Sequence, residues 1–356
     1  MNDQQGEKKR SPLRTLLIGL LLLALAACAE APVEKRPTLF WPDPPDPPKI
    51  SYIQNLAEPK DVGVTPSWFK KVVRFIFGED APPHLIRPSG VAVDEAGGVY
   101  IADTGLQAVH YFNEKEHTYR QYFKLPPPFN RLQNPIGLAV DRSKQVYVSD
   151  ADLNRIFVYN PEGNKVRVFG GEAEVKRVSG IAIDQGRDRL YVVDTTGHQV
   201  IIYTLAGEKT GTIGRRGTAD GELNFPTYAA VDAEGRIYIS DSLNFRIQVF
   251  NPDGTFVSQV GSLGSTLGQF SRPKGVAVDR ENHLYVVDTL FDNVQVFNTS
   301  GELLLHFGKS GVEPGFFWLP AGIAVDREGR IYVADAYNQR VQVFQLLQEA
   351  PPAQKG

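Results

Sequence analysis

The chain has 356 residues, 42% of them hydrophobic and 22% charged, with a formal net charge of -3. This is the composition of a water-exposed globular protein, long enough for one large domain or two ordinary ones. No long basic run lies outside the extreme N-terminus, so the electrostatic footprint for nucleic acid is missing, and the single cysteine, Cys28, excludes an intrachain disulfide.

The first element is a secretory signal. A positive stretch, "EKKRSPLR", precedes the apolar run "TLLIGLLLLALAA", which stops at Cys28 and is too short for a comfortable membrane span. Residues 1–27 are therefore expected to be a signal peptide. "LAAC" (Leu25 to Cys28) resembles the bacterial lipobox, which implies lipidation of Cys28 and membrane attachment through it. Ala29, where some lipoproteins carry an inner-membrane aspartate, favours the outer membrane. The expected location is the cell envelope, facing the periplasm or the cell exterior.

Residues 28–48 end in "FWPDPPDPP", a composition that reads as a stiff, extended Pro-rich tether unable to join a ladder. "KISYIQNLA" (Lys49 to Ala57) is a lone strand-like run. A helical insertion is expected over about residues 65–78, with Thr65 as N-cap, Pro66 at the first turn and Gly78 as stop. Its Trp68, Phe69, Val72, Val73, Phe75, Ile76 and Phe77 must dock somewhere, as a lid on the folded part or as a contact surface.

From Pro88 a repeat governs the chain. One aspartate recurs as Asp94, Asp141, Asp184, Asp232, Asp279 and Asp326, at intervals of 47, 43, 48, 47 and 47. A period in this range signals propellers or solenoids. Within each copy, runs such as "GVAVD", "LYVVD" and "NVQVF" are short, β-branched and closed by turn residues. Four antiparallel strands, six times, give an all-β, six-bladed β-propeller of four-stranded blades, its strands lettered a to d from the axis outward. A parallel β-helix is the weaker alternative, since it repeats at shorter period. The sixth copy lacks a fourth strand, and Ile50 to Leu56 would supply it, closing the ring across residues 49–346. Residues 347–356 read as a disordered tail.

"GVAVDxxGxIYVADxxNxRIQVF", carried nearly intact by Pro226 to Phe250 and Pro320 to Phe344, resembles the NHL repeat. The resemblance spans about Pro88 to Phe344 plus the closing strand. The lead-in "WPDPPDPPKISYI" and "SWFKKVVRFIFGED" are similar to a bacterial group of NHL-repeat lipoproteins. It implies the propeller fold but little about activity, because the wider family ranges from lyases to RNA-binding modules and scaffolds.

Most repeated residues read as architecture. The glycine of strand a (Gly90, Gly137, Gly180, Gly275, Gly322) fits a turn needing unusual backbone freedom, and the first aspartate fits an a–b turn. A second aspartate recurs as Asp103, Asp150, Asp194, Asp241, Asp288 and Asp335. Arginines five residues later suggest ion pairs Asp150–Arg155, Asp241–Arg246 and Asp335–Arg340. Asp103, Asp194 and Asp288 lack that arginine and are followed by Thr104, Thr195 and Thr289. They are either unpaired rim carboxylates that attract a cation or members of a local motif with threonine and turn amides; the motif is favoured.

The resemblance implies a histidine cluster only for the lyase branch. The six histidines here fall at scattered places in the repeat, so no cofactor is expected, with a cation at the rim or channel as the exception and the metal site unknown. Function should then sit where the copies disagree. On the face shared by the d–a and b–c loops, Phe225, Tyr228, Phe245, Arg272, Lys274, Phe291, Trp318 and Tyr337 form a candidate binding surface, with Phe129 and Arg131 beside it. Tyr228 stands where the other copies have glycine, at the mouth of the central channel. The expected function is a non-catalytic binding or scaffolding propeller, lipid-anchored in the envelope, with a protein or peptide partner and no nucleic acid. The alternative is a channel-centred hydrolase or lyase, metal-assisted or not.

Overall fold

The computed structural model describes residues 39–65 and 83–347. The chain builds six antiparallel sheets arranged as blades, as the period requires. Blade one consists of Pro88–Val93, Val99–Asp103, Ala108–Asn113 and Thr118–Tyr122, hydrogen-bonded in that order. The innermost strands of blades two to six are Pro135–Val140, Val178–Asp184, Pro226–Val231, Pro273–Val278 and Ile323–Val325.

Closure is made as the lone strand predicts. Ile50–Leu56 pairs with Arg340–Leu346, the third strand of blade six, with Tyr52 opposite Phe344 and Leu56 opposite Val341. The Pro-rich segment departs from expectation in one respect. Phe40–Trp41 adds a fifth strand to blade six, pairing with Ile50 and Ser51. Trp41 lies edge-on to Phe344, with ring centroids 5.6 Å apart, so the aromatic pair "FW" has a packing site that overrides the surrounding prolines.

The core is divided rather than single. Six apolar clusters each combine the facing sides of two adjacent blades, and the one between blades six and one closes the circle. Alternation within each strand sends one set of side chains to each neighbour. Phe270 and Phe317, in the d–a loops, are fully buried in these seams, as their register with Leu85 and Leu132 suggests.

The strand-a glycines need a different explanation from the expected one. None of the five has a positive φ. A Cβ at Gly90, Gly275 or Gly322 would lie 2.2–2.3 Å from a carbonyl oxygen of the next blade. Crowding at the axis, not turn geometry, demands glycine there. In blades one to five the pairing of strands a and b shifts register beside this position, which pulls strand a inward. In the b–c turns, by contrast, the residue before strand c has positive φ in all six blades: Gln107, Asn154, His198, Phe245, Asp292 and Gln339.

Candidate functional site: the loop-rich face

The first aspartate of each repeat is turn chemistry. Asp94 Oδ1 accepts the amides of Ala96 and Gly98, and the same pattern returns at Asp232, Asp279 and Asp326. The other oxygen accepts the strand-b tyrosine hydroxyl in five blades, as with Tyr285 on Asp279 at 2.9 Å. In blade three Arg187 takes that oxygen of Asp184 at 3.0 Å, and the Tyr191 hydroxyl is left without a partner among the described residues.

The second aspartate joins the two loop sets. All six are fully buried. Asp103 accepts the amides of Ile86 and Arg87 from the d–a loop, and of Gly105 and Leu106 from its own b–c turn. Asp194 and Asp288 do the same with Lys176, Arg177 and Gly197, and with Ser271, Arg272 and Leu290. These three are therefore not open rim carboxylates; their lone pairs are filled by backbone amides. The flanking threonines bond elsewhere: Thr104 to the Arg87 carbonyl, Thr195 to Ser179, and Thr289 to the Pro320 carbonyl.

Two of the three expected ion pairs form. Arg246 donates to Asp241 at 2.9 Å and Arg340 to Asp335 at 2.8 Å, and both arginines also bind carbonyls of the preceding long loop. Gln248 and Gln342 complete each network. Asp150 and Arg155 do not pair. Phe157 stands where those glutamines would be and packs against Phe129, so an aromatic contact replaces the polar network. Arg155 instead donates to the Asn154 carbonyl.

Blade one carries His110 at that same place. It is fully buried, its Nδ1 meets the Tyr119 hydroxyl at 2.8 Å, and its Nε2, 3.9 Å from Asp103, has no hydrogen-bond partner among the described residues. Burial pushes its pKa down to about 4, with Asp103 pulling the other way. The imidazole is neutral in the folded chain while the unfolded chain takes up a proton near pH 6.5. Stability is thus complete above about pH 6.5 and falls as pH drops towards 4, by up to about 3 kcal/mol. His110→Gln should remove this loss, because glutamine can reach the aspartate as Gln248 and Gln342 do. Thermal melts of both proteins at about pH 7 and about pH 4.5 check it: the variant should keep its lead only at the lower pH.

On the loop-rich side the axial channel is lined by apolar side chains and by backbone polar groups. Its walls are strand-a residues such as Val91, Leu138, Ile181, Ala229, Val276 and Ile323, around a cavity of about 240 Å³. Tyr228 is the exception. The register shift in blade four aims its phenol across the channel, where it donates to the Ser89 carbonyl of blade one at 3.3 Å. Burial raises its pKa well above the usual phenol value.

The remaining sequence candidates divide by exposure. Trp318 and Tyr337 are each about half exposed and pack against one another in a tilted arrangement, ring centroids 5.6 Å apart, and Arg87 lies over the Tyr337 ring at 5.3 Å. Arg272 is exposed and Lys274 half-buried beside it. Phe225 packs edge-on against His198, its centroid 4.6 Å away, and Phe245 holds the αL cap of a 3-10 turn. Phe291 is half-buried, and Arg131 reaches the Leu106 carbonyl. Sequence reasoning missed Ile86, Leu243 and Leu290, exposed apolar residues of the same loops. For Leu243 and Leu290 the signal available was their place two residues after the second aspartate, where Tyr337 also sits; Ile86 lies instead in the d–a loop, two residues before Pro88.

The histidines do not converge. Among the described residues, the one group with ligand atoms close enough to share a cation is Asp279, Glu281 and His283, within 4.8 Å of one another. It belongs to an a–b turn, and His283 Nδ1 already meets Asp279 at 2.9 Å. His283 takes the place of Arg236 in blade four, a structural partner of its aspartate.

Comparison with known proteins agrees with this geometry. Residues 317–344 match the model of the NHL repeat, and residues 228–290 match a model described as a 6-bladed beta-propeller. The chain is a six-bladed β-propeller with an NHL repeat in its last blade. No curated protein matches the propeller's sequence. Among solved structures it is similar to a streptogramin B lyase, at 12% identity and a TM-score of 0.55, over 73% of this chain and 93% of that one. It is also similar to virginiamycin B lyase from Staphylococcus aureus, at 13% identity and 0.55, over 84% and 99%. A structural genomics protein of unknown function from Bacteroides thetaiotaomicron gives 19% and 0.59, over 74% and 70%. Identities this low establish the propeller fold alone. Cys28 and all but Thr65 of the 65–78 segment lie outside the described residues.

Proposed function

We propose that this propeller is a non-catalytic binding module whose loop-rich face docks a polypeptide partner, tethered in the cell envelope through a lipid on Cys28. The carrying observation is the exposed Arg87–Tyr337–Trp318 cluster at the seam of blades six and one. Aromatics packed together with an arginine are what interface hot spots use, and their mutual contact restricts the rotamers before a partner arrives. The lipobox "LAAC" supports the tether, and the absence of an acidic residue at Ala29 supports the outer membrane. The channel gives the lyase or hydrolase reading less support. Its one hydroxyl, on Tyr228, is engaged by the Ser89 carbonyl and held protonated by burial.

Cross-linking in intact envelopes, followed by recovery of the full-length chain, tests the reading. The wild-type protein should give one discrete adduct, and Trp318→Ala with Tyr337→Ala should reduce it about tenfold or more. Both residues are exposed, so the melting temperature should hardly move. An adduct of undiminished yield from the double variant would contradict docking on this face.

A further inference from the structure

The blades alternate in where they keep an arginine. In blades two, four and six it opens strand c, as Arg155, Arg246 and Arg340. In blades one, three and five it sits instead just before the innermost strand, as Arg87, Arg177 and Arg272, where the other blades have Asn134, Phe225 and Leu319. The backbones of these three arginines are fixed identically. Each N–H donates to the buried aspartate of its blade, and each carbonyl accepts the amide of Thr104, Thr195 or Thr289.

Their side chains have the opposite character from Arg246 and Arg340. All three are exposed, and among the described residues none has an ion pair or a side-chain hydrogen bond; Arg87 alone makes a ring contact. The aspartates beneath cannot serve them, because amides occupy the carboxylate oxygens. Lys274 adds a fourth cation. It is half-buried, has no ion pair or hydrogen bond from its ammonium among the described residues, and is destabilised as a cation first by burial and then by Arg272.

We propose that Arg87, Arg177, Arg272 and Lys274 form an anion-reading crown around the Tyr228-filled mouth of the channel, and that the docked partner is an acidic polypeptide segment. The inference rests on the docking reading and names its chemistry. Separate guanidinium groups, one per alternate blade, match carboxylates spaced along a chain, each able to form a bidentate pair. Ile86, Leu290, Trp318 and Tyr337 lie on the same loops and give apolar side chains between those carboxylates a place to bury. A continuous phosphodiester would instead call for an unbroken basic stripe, whereas these arginines stand one per alternate blade.

Fluorescence anisotropy on the full-length protein decides the matter, with three labelled probes: a Glu-Phe alternating peptide, a Lys-Phe peptide of equal length, and an oligouridine. The acidic peptide should bind best and weaken as salt rises. The triple variant R87Q/R177Q/R272Q should bind it at least tenfold more weakly with an unchanged melting temperature, and K274Q should lose a smaller factor. Equal binding by the triple variant, no preference for the acidic over the basic peptide, tighter binding of oligouridine, or no binding of any probe would overturn the proposal. If the arginine variants bind normally while W318A/Y337A does not, the crown falls and docking on this face stands. If neither set changes a binding that occurs, both readings fall.

Discussion

A chain lacking residues 39–56 is expected to show no cooperative melt. These residues supply the fourth and fifth strands of blade six, and Ile50, Tyr52 and Leu56 are buried in the seams on either side. Burying three large apolar side chains stabilises by roughly 5–9 kcal/mol, which is comparable to the whole stability of an ordinary domain. The loss is worse than the area alone suggests, because Arg340–Leu346 becomes an open edge in the one blade that joins the two ends of the propeller. Calorimetry checks this, and a synthetic peptide of residues 39–56 should restore the transition. A truncated chain melting at the temperature of the intact one would mean that the ring is held elsewhere.

Asp335→Ala is expected to cost about 3–5 kcal/mol, because it strands a buried charge. Asp335 accepts Trp318 N–H, Asn338, Arg340 and Gln342, all between 2.8 and 2.9 Å. Burial raises its pKa, and the Trp318 amide, Asn338 and Arg340 work against that. Asp288→Ala removes only amide partners and leaves no buried guanidinium behind, so it should cost less, about 1–3 kcal/mol. The double change Asp335→Ala with Arg340→Met should recover part of the loss. Denaturant titration of the four proteins measures these differences. Equal costs for the two aspartates would show that Arg340 contributes nothing.

The architecture of this propeller was legible because it is written six times. A spacing of about 47 residues, β-branched runs and a missing last strand suffice to count blades and to place Ile50–Leu56 against Val341–Phe344. What the sequence could not convey is why a repeated residue is there. Glycine at strand a reads equally well as a turn residue or as a close approach, and only the carbonyl of the next blade separates the two. Asp150 and Arg155 look like Asp241 and Arg246 until Phe157 and Phe129 are seen to occupy the place of the polar network. The loop-rich face was half legible. Trp318, Tyr337 and Arg272 stand out on this face, but Arg87 and Arg177 share the position of Arg272 and are masked by Asn134, Phe225 and Leu319, which fill it in the alternate copies. Phe225 looked like a surface aromatic, and its contact with His198, 27 positions earlier, leaves no trace in the local pattern.

Recurring residues build the ring, and the proposed docking falls to the departures on one face. A photo-cross-linking side chain placed at position 318, and separately at Val257 on the exposed outer strand of blade four, tests that division directly in native envelopes. Position 318 should yield a discrete adduct and position 257 none. An adduct formed equally at both, or only at 257, would contradict the assignment of the loop-rich face as the contact surface.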